Sequence, residues 1–270
     1  MKAIVWMVFC MSVAAADYVA PDKSFTVSVP EGWRTRVADK MTIVEPANGG
    51  DERILIGSGV ALAKSIQELS QHAAQLSGQM LPGLRMSSEM KVGQWKGLPS
   101  AEQEYQSFQL SAWNGMVLKG EFYFAVLALC KVNQVEQCRK TGRAIFESAK
   151  FEGLVRNAAV ERALVGRWAN SDNRTKNTGV RDKLMYMSNW TVVFGANMRF
   201  HSKKESFVDT QTDVYGGGNV GAANEAVGTF RVFGSTLVAD IDNWGRQLFS
   251  LEFYPNGQGM LLNGQLFTRE

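Results

Sequence analysis

The segment DVYGGGNVGAANEAVGTFRV, residues 213–232, carries Gly216, Gly218 and Gly221 in the spacing G-x-G-x-x-G, with Asp240 about twenty residues further on. That spacing could cradle the pyrophosphate of a dinucleotide. The chemistry needs a buried strand before the first glycine and a helix after the third, because the helix supplies amide donors and the positive end of its dipole. Here the preceding DTQTDVY is polar. The following AANEAVGTF leaves room for about one helical turn before Gly228. The motif therefore lacks its architecture, and the segment reads as a glycine-loosened connection between two strands. Gly216, Gly217, Gly218 and Gly221 are the candidate lid residues of that connection.

Other reactive residues are sparse. His72 and His201 are the only histidines, and neither stands in an H-E-x-x-H or C-x-x-C pattern. No G-x-S-x-G elbow or triad spacing accompanies them. The run Asp240 to Gly245 matches D-x-D-x-x-G, but Trp244 stands at the fifth position of the calcium loop and Leu251 at the twelfth, where it needs Asp or Asn and Glu. A hairpin turn explains it better. No catalytic residue, metal site or cofactor is expected, and the chain reads as a non-catalytic binding or interaction protein, the alternatives being a carrier of a small apolar ligand and an enzyme whose site is assembled only in space. A basic run at 170–183 offers Arg174, Lys176, Arg181 and Lys183 as candidate contacts to an anionic ligand or surface.

The elements that would position these residues follow from periodicity. Phe25, Val27 and Val29 alternate with polar residues, as in a half-buried strand closed by Pro30 and Gly32. MTIVEP and ERILIGSGVAL read as further strands. Residues 65–80 place Ile66, Leu69, Ala73 and Leu76 on one face, the pattern of an amphipathic helix, with Ser65 and Glu68 as a capping box. Asn114-Gly115 between two strand-like runs predicts a hairpin turn. A second helix is expected after Cys138. Asn157 is placed to cap a short third helix.

From there the pattern becomes short strands near 165–170, 189–194, 198–206, 226–233, 235–241, 246–254, 258–262 and 264–269, separated by turn signals. Many sequential short strands predict an up-and-down barrel.

The first sixteen residues have the layout of a secretory signal peptide: Lys2, an apolar run, then Ala14 and Ala16. The apolar run is too short to span a bilayer, so no transmembrane anchor is expected after cleavage, and a periplasmic or secreted location follows. Cys10 leaves with the signal. Cys130 and Cys138 then form an even pair in an exported chain and are expected to make a disulfide worth about 2–3 kcal/mol. The whole chain has 29 basic and 26 acidic residues, net +3. That balance argues against a nucleic-acid footprint.

The order F-T-V-x-V-P-E-G-W, strands, one helix, a long hairpin and a closing helix ending in SAKF resembles the PsbP-like fold over residues 17–153. The resemblance implies an antiparallel sheet between helices, an exported extrinsic protein, and a binding or assembly role with a protein partner in the cell envelope. Residues 154–270 resemble the lipocalin-like barrels on Gly166-Arg167-Trp168, standing as G-x-W at the first strand, and Arg269 at the end of the last. That resemblance implies a floor closed by Trp168 with Arg269 across its face. It also implies a carrier of a small apolar ligand lined from Trp168, Trp190, Phe194 and Phe230. The expected fold class is α+β, an antiparallel sheet with packed helices followed by a small all-β barrel.

Overall fold

The computed structural model describes residues 16–38, 41–80, 83–177, 183–211 and 218–270. Contacts divide the chain into two compact units at Leu154/Val155. The α+β unit and the closed all-β unit anticipated from periodicity and turns are both observed.

The first unit contains β1 (Ala16–Val19), β2 (Phe25–Val29), β3 (Trp33–Ala38), β4 (Met41–Pro46), β5 (Arg53–Val60), α1 (Ile66–Met80), β6 (Arg85–Met86), β7 (Lys91–Trp95), β8 (Leu98–Gln106), β9 (Leu110–Lys119), β10 (Phe122–Lys131), α2 (Val135–Ser148) and β11 (Lys150–Phe151). A three-stranded sheet runs β1-β2-β11. A larger antiparallel sheet runs β3-β4-β5-β10-β9-β8-β6, with β7 paired to β8. Its interior strand β9 is buried along nearly its whole length. Odd-numbered side chains such as Trp113 and Val117 join the α2 core with Phe146 and Phe124. Even-numbered Met116 and Leu118 meet Ile66 and Leu69 of α1.

That two-sided burial corrects the expected turn at Asn114-Gly115. Both residues lie in mid-strand, with Asn114 opposite Leu127 and Gly115 opposite Val126. Glycine is required there for space: a Cβ at Gly115 would sit 2.6 Å from the Trp113 ring and 3.2 Å from Phe146. The reversal falls instead at Gly120, whose φ is +61°. Tertiary packing overrides the local turn preference of Asn-Gly. The capping residues of α1 are used, with one change. Ser65 Oγ accepts from Glu68 N at 3.2 Å, while the Glu68 carboxylate reaches back to Lys64 N at 2.8 Å, one residue earlier than the standard box.

The second unit begins with α3 (Ala158–Leu164), where Asn157 Oδ1 accepts from Val160 N at 3.1 Å. Eight strands follow: β12 (Gly166–Asn177), β13 (Lys183–Phe194), β14 (Arg199–Gln211), β15 (Gly218–Phe233), β16 (Thr236–Ile241), β17 (Gly245–Phe253), β18 (Gly259–Leu262) and β19 (Gln265–Arg269). Each pairs with its sequence neighbour, and β12 closes the barrel against β19.

The first four strands are much longer than expected. Gly218 and Gly221 belong to β15, opposite Thr210 and Phe207, and are not part of a lid loop. Backbone pairing needs no side chain, so a glycine-rich run with a long partner can continue the ladder. Gly216 and Gly217 lie outside the described residues. The basic run is likewise in strands rather than a loop: Arg174 and Lys176 lie on β12 and Lys183 opens β13, while Arg181 lies outside the described residues.

Candidate functional site

The barrel strands alternate as their period requires, and the inward side chains that surround the cavity are mostly apolar. These side chains do not fill the interior. A cavity of about 470 Å³ remains, walled by Trp190, Val192 and Phe194 of β13, Phe200 and Ser202 of β14, and Ala226 of β15. Leu237, Ala239 and Ile241 of β16, Phe249 of β17 and Leu262 of β18 complete the wall. Trp244, in the β16–β17 turn, and Gln247 border it; Trp244 is 60% exposed, which puts it at the opening. This size and lining lie within the range of small-molecule sites.

Of the aromatic residues expected to line a ligand site, Trp190 and Phe194 do so. Phe230 stands behind the wall, fully buried and edge-on to Phe194 at 4.9 Å. Trp168 is also fully buried, against Phe253 at 5.9 Å, and does not border the cavity. Periodicity did not reveal Phe200, Phe249 or Trp244 as wall residues, although Phe200 and Phe249 stand at inward positions of strands it located.

Gly166, Trp168 and Arg269 are brought together. Trp168 Nε1 donates to Leu164 O at 2.7 Å, and the Arg269 guanidinium carbon lies 5.3 Å from the Trp168 ring centre. Arg269 Nη2 donates to Val165 O at 2.6 Å. Gly166 has φ +137°, and a Cβ there would meet Arg269 Nη2 at 3.3 Å. The helix α3 is tied to the barrel by Glu161, buried at 2% exposure. Its carboxylate takes Arg156 Nε at 2.7 Å and Val232 N at 2.9 Å. A buried charge needs such partners.

The chemistry weighed for Asp240 and Asp242 is otherwise committed. Asp240 pairs with Arg231 at 2.6 Å and Arg246 at 2.8 Å, and Asp242 with Arg199 at 3.1 Å. Arg246 beside it, together with Arg231, holds the Asp240 carboxyl below the usual range. Among the described residues no group of three His, Cys, Asp or Glu could hold a metal ion. His72 is exposed on α1, and His201 lies 3.8 Å from Glu225.

No bond joins Cys130 and Cys138 in this structure, where both are buried thiols. Cys130 Sγ donates to Ser111 O at 3.5 Å. The proximity of the two thiols lowers the Cys130 pKa and raises that of Cys138. Burial further opposes ionisation of Cys138.

No helix among the described residues is long and apolar enough to cross a membrane. No protein-family model and no curated protein matches the chain. Among solved structures, its N-terminal part is similar to cyanobacterial PsbP from Synechocystis sp. PCC 6803. That match has 7% identity and a TM-score of 0.43, covering 53% of this chain and 95% of that one. A protein from Bacteroides thetaiotaomicron VPI-5482 is similar at 9% identity and a TM-score of 0.32, covering 56% of each chain.

Proposed function

We propose that this is an exported, non-catalytic binding protein whose barrel carries a small apolar ligand. The observation that carries the reading is the cavity of about 470 Å³, walled by aromatic and aliphatic side chains. An apolar molecule entering it leaves water and meets preformed apolar walls, which drives binding without any reacting group. Export is supported by the charged, apolar and small-residue sections of residues 1–16. The adjacency of Cys130 and Cys138 supports their joining, by thiol–disulfide exchange with an envelope oxidant that takes up the two electrons, once the chain is outside the cytoplasm.

Native mass spectrometry of the full chain purified from its own envelope tests the carrier reading, together with titration by the apolar fluorophore N-phenyl-1-naphthylamine. A co-purifying small molecule, or saturable enhancement of the fluorophore with quenching of tryptophan emission, is expected. Ligand-free protein that also fails to bind the fluorophore overturns the reading.

A further inference from the structure

The cavity wall has an electrical polarity. None of its lining residues is acidic. Ser202 faces it, and its Oγ accepts from Trp190 Nε1 at 2.6 Å. The Ser202 hydroxyl proton is then directed to no acceptor among the described residues, and Trp190's donation makes that hydroxyl a better donor. Two residues along β14, on the same inward face, stands Lys204, directly opposite Trp190 in the ladder.

Lys204 is half-buried, and its Nζ lies 5.5 Å from the centre of the Trp190 ring, itself a wall of the cavity. Its neighbour Lys203, on the outer face, pairs with Glu205 at 2.6 Å. Lys204 has no carboxylate partner among the described residues; its contact is the face of an aromatic ring. A cation held on a ring at the rim of an apolar cavity, above a hydroxyl donor and with no acid in the lining, is complementary to a negative group joined to an apolar body.

We propose that the ligand is a single-chain amphiphile with a carboxylate head, the alkyl body filling the cavity and the head set at Lys204, within reach of the Ser202 hydroxyl. This inference rests on the barrel being a ligand site and specifies the ligand's chemistry.

The test uses the full chain and three molecules with one alkyl body: laurate, dodecanol and dodecylamine. Each competes with N-phenyl-1-naphthylamine at low salt, where charge interactions are least screened. Laurate is expected to bind about tenfold more tightly than dodecanol, the equivalent of one charge-assisted hydrogen bond, and dodecylamine most weakly. Lys204→Met should bring laurate to the level of dodecanol while dodecanol stays within about twofold, and Lys204→Arg should keep the laurate preference. Equal affinity for the three molecules, or a laurate preference that survives Lys204→Met, overturns the head-group assignment and leaves the carrier reading intact. Failure of the wild-type chain to bind the fluorophore or any of the three overturns both.

Discussion

Arg269, at the end of the last barrel strand, lies with its guanidinium carbon 5.3 Å from the ring centre of Trp168 on the first, and hydrogen-bonds through Nη2 to Val165 O at 2.6 Å. One side chain thus spans the closing seam, where β12 and β19 share only two residue pairs. Arg269→Ala should destabilise the barrel by about 1–2 kcal/mol, from an exposed cation–π contact plus one charged hydrogen bond. Arg269→Lys, which keeps the charge but loses the planar fork, should recover part of that. Urea unfolding followed by the fluorescence of the barrel tryptophans measures it.

Gly228 allows β15 to approach β16. A Cβ there would lie 2.1 Å from Asp240 O and 2.9 Å from Phe200. The clash is with backbone, which no rotamer change relieves. Gly228→Ala should cost about 3 kcal/mol. Gly57→Ala, whose Cβ meets nothing within 4 Å, is the matched control and should be near neutral. Circular dichroism melts of both variants separate the two effects.

Filling the cavity should separate stability from binding. Ala239 lines it and is 4% exposed. Ala239→Leu places additional methyl groups into existing space, so the barrel should melt within a few degrees of wild type. Binding of N-phenyl-1-naphthylamine should fall at least about tenfold, because those methyl groups occupy the ligand's volume. Unchanged fluorophore binding would place its site elsewhere.

Glu45 is nearly buried, accepts from Arg34, and is paired with Arg53 Nε at 3.0 Å and Arg36 Nε at 3.5 Å. Burial raises its pKa, but the hydrogen bond from Arg34 and the charges of Arg53 and Arg36 outweigh it, so the folded value lies below the ordinary one. Folding therefore favours the carboxylate, and the resulting stability is present at neutral pH and lost as pH falls through the folded pKa. Glu45→Gln should lower the denaturation midpoint of the first unit at pH 7. The difference from wild type should shrink in acid, where wild-type Glu45 is also neutral. Denaturant titrations at several pH values check this.

The paired thiols should be oxidised in protein recovered from the envelope. Thiol titration under denaturing, non-reducing conditions should then find no free thiol in the chain lacking residues 1–16, and two after reduction. Oxidation closes a short loop and should add about 2–3 kcal/mol in the chain-entropy account. Two free thiols in the unreduced sample would refute the bridge.

Much of the architecture is local in origin and so was legible in the chain. The period-two run of Phe25, Val27 and Val29 located β2, the strand-like run MTIVEP located β4, the three- and four-residue spacing located α1, and Asn157 marked the start of α3. Eight short runs with turn residues between them were enough to indicate a sequential barrel, because hairpin turns and alternation are properties of a few neighbouring residues. Gly166, Trp168 and Arg269 were also recognisable by type and position.

What tertiary structure decided lies where several strands must be added together. Asn114-Gly115 has the chemistry of a turn and occupies mid-strand, because packing from both faces of β9 outweighs a local preference. The glycines at 218 and 221 join a ladder because a long partner strand lies alongside them. The empty volume within the barrel, and the position of Lys204 against Trp190 at its rim, depend on the register of side chains from β13 to β18. A strand's own pattern states which face is apolar. Whether the opposing faces meet or leave a space is set by the radius and stagger of the whole closed sheet.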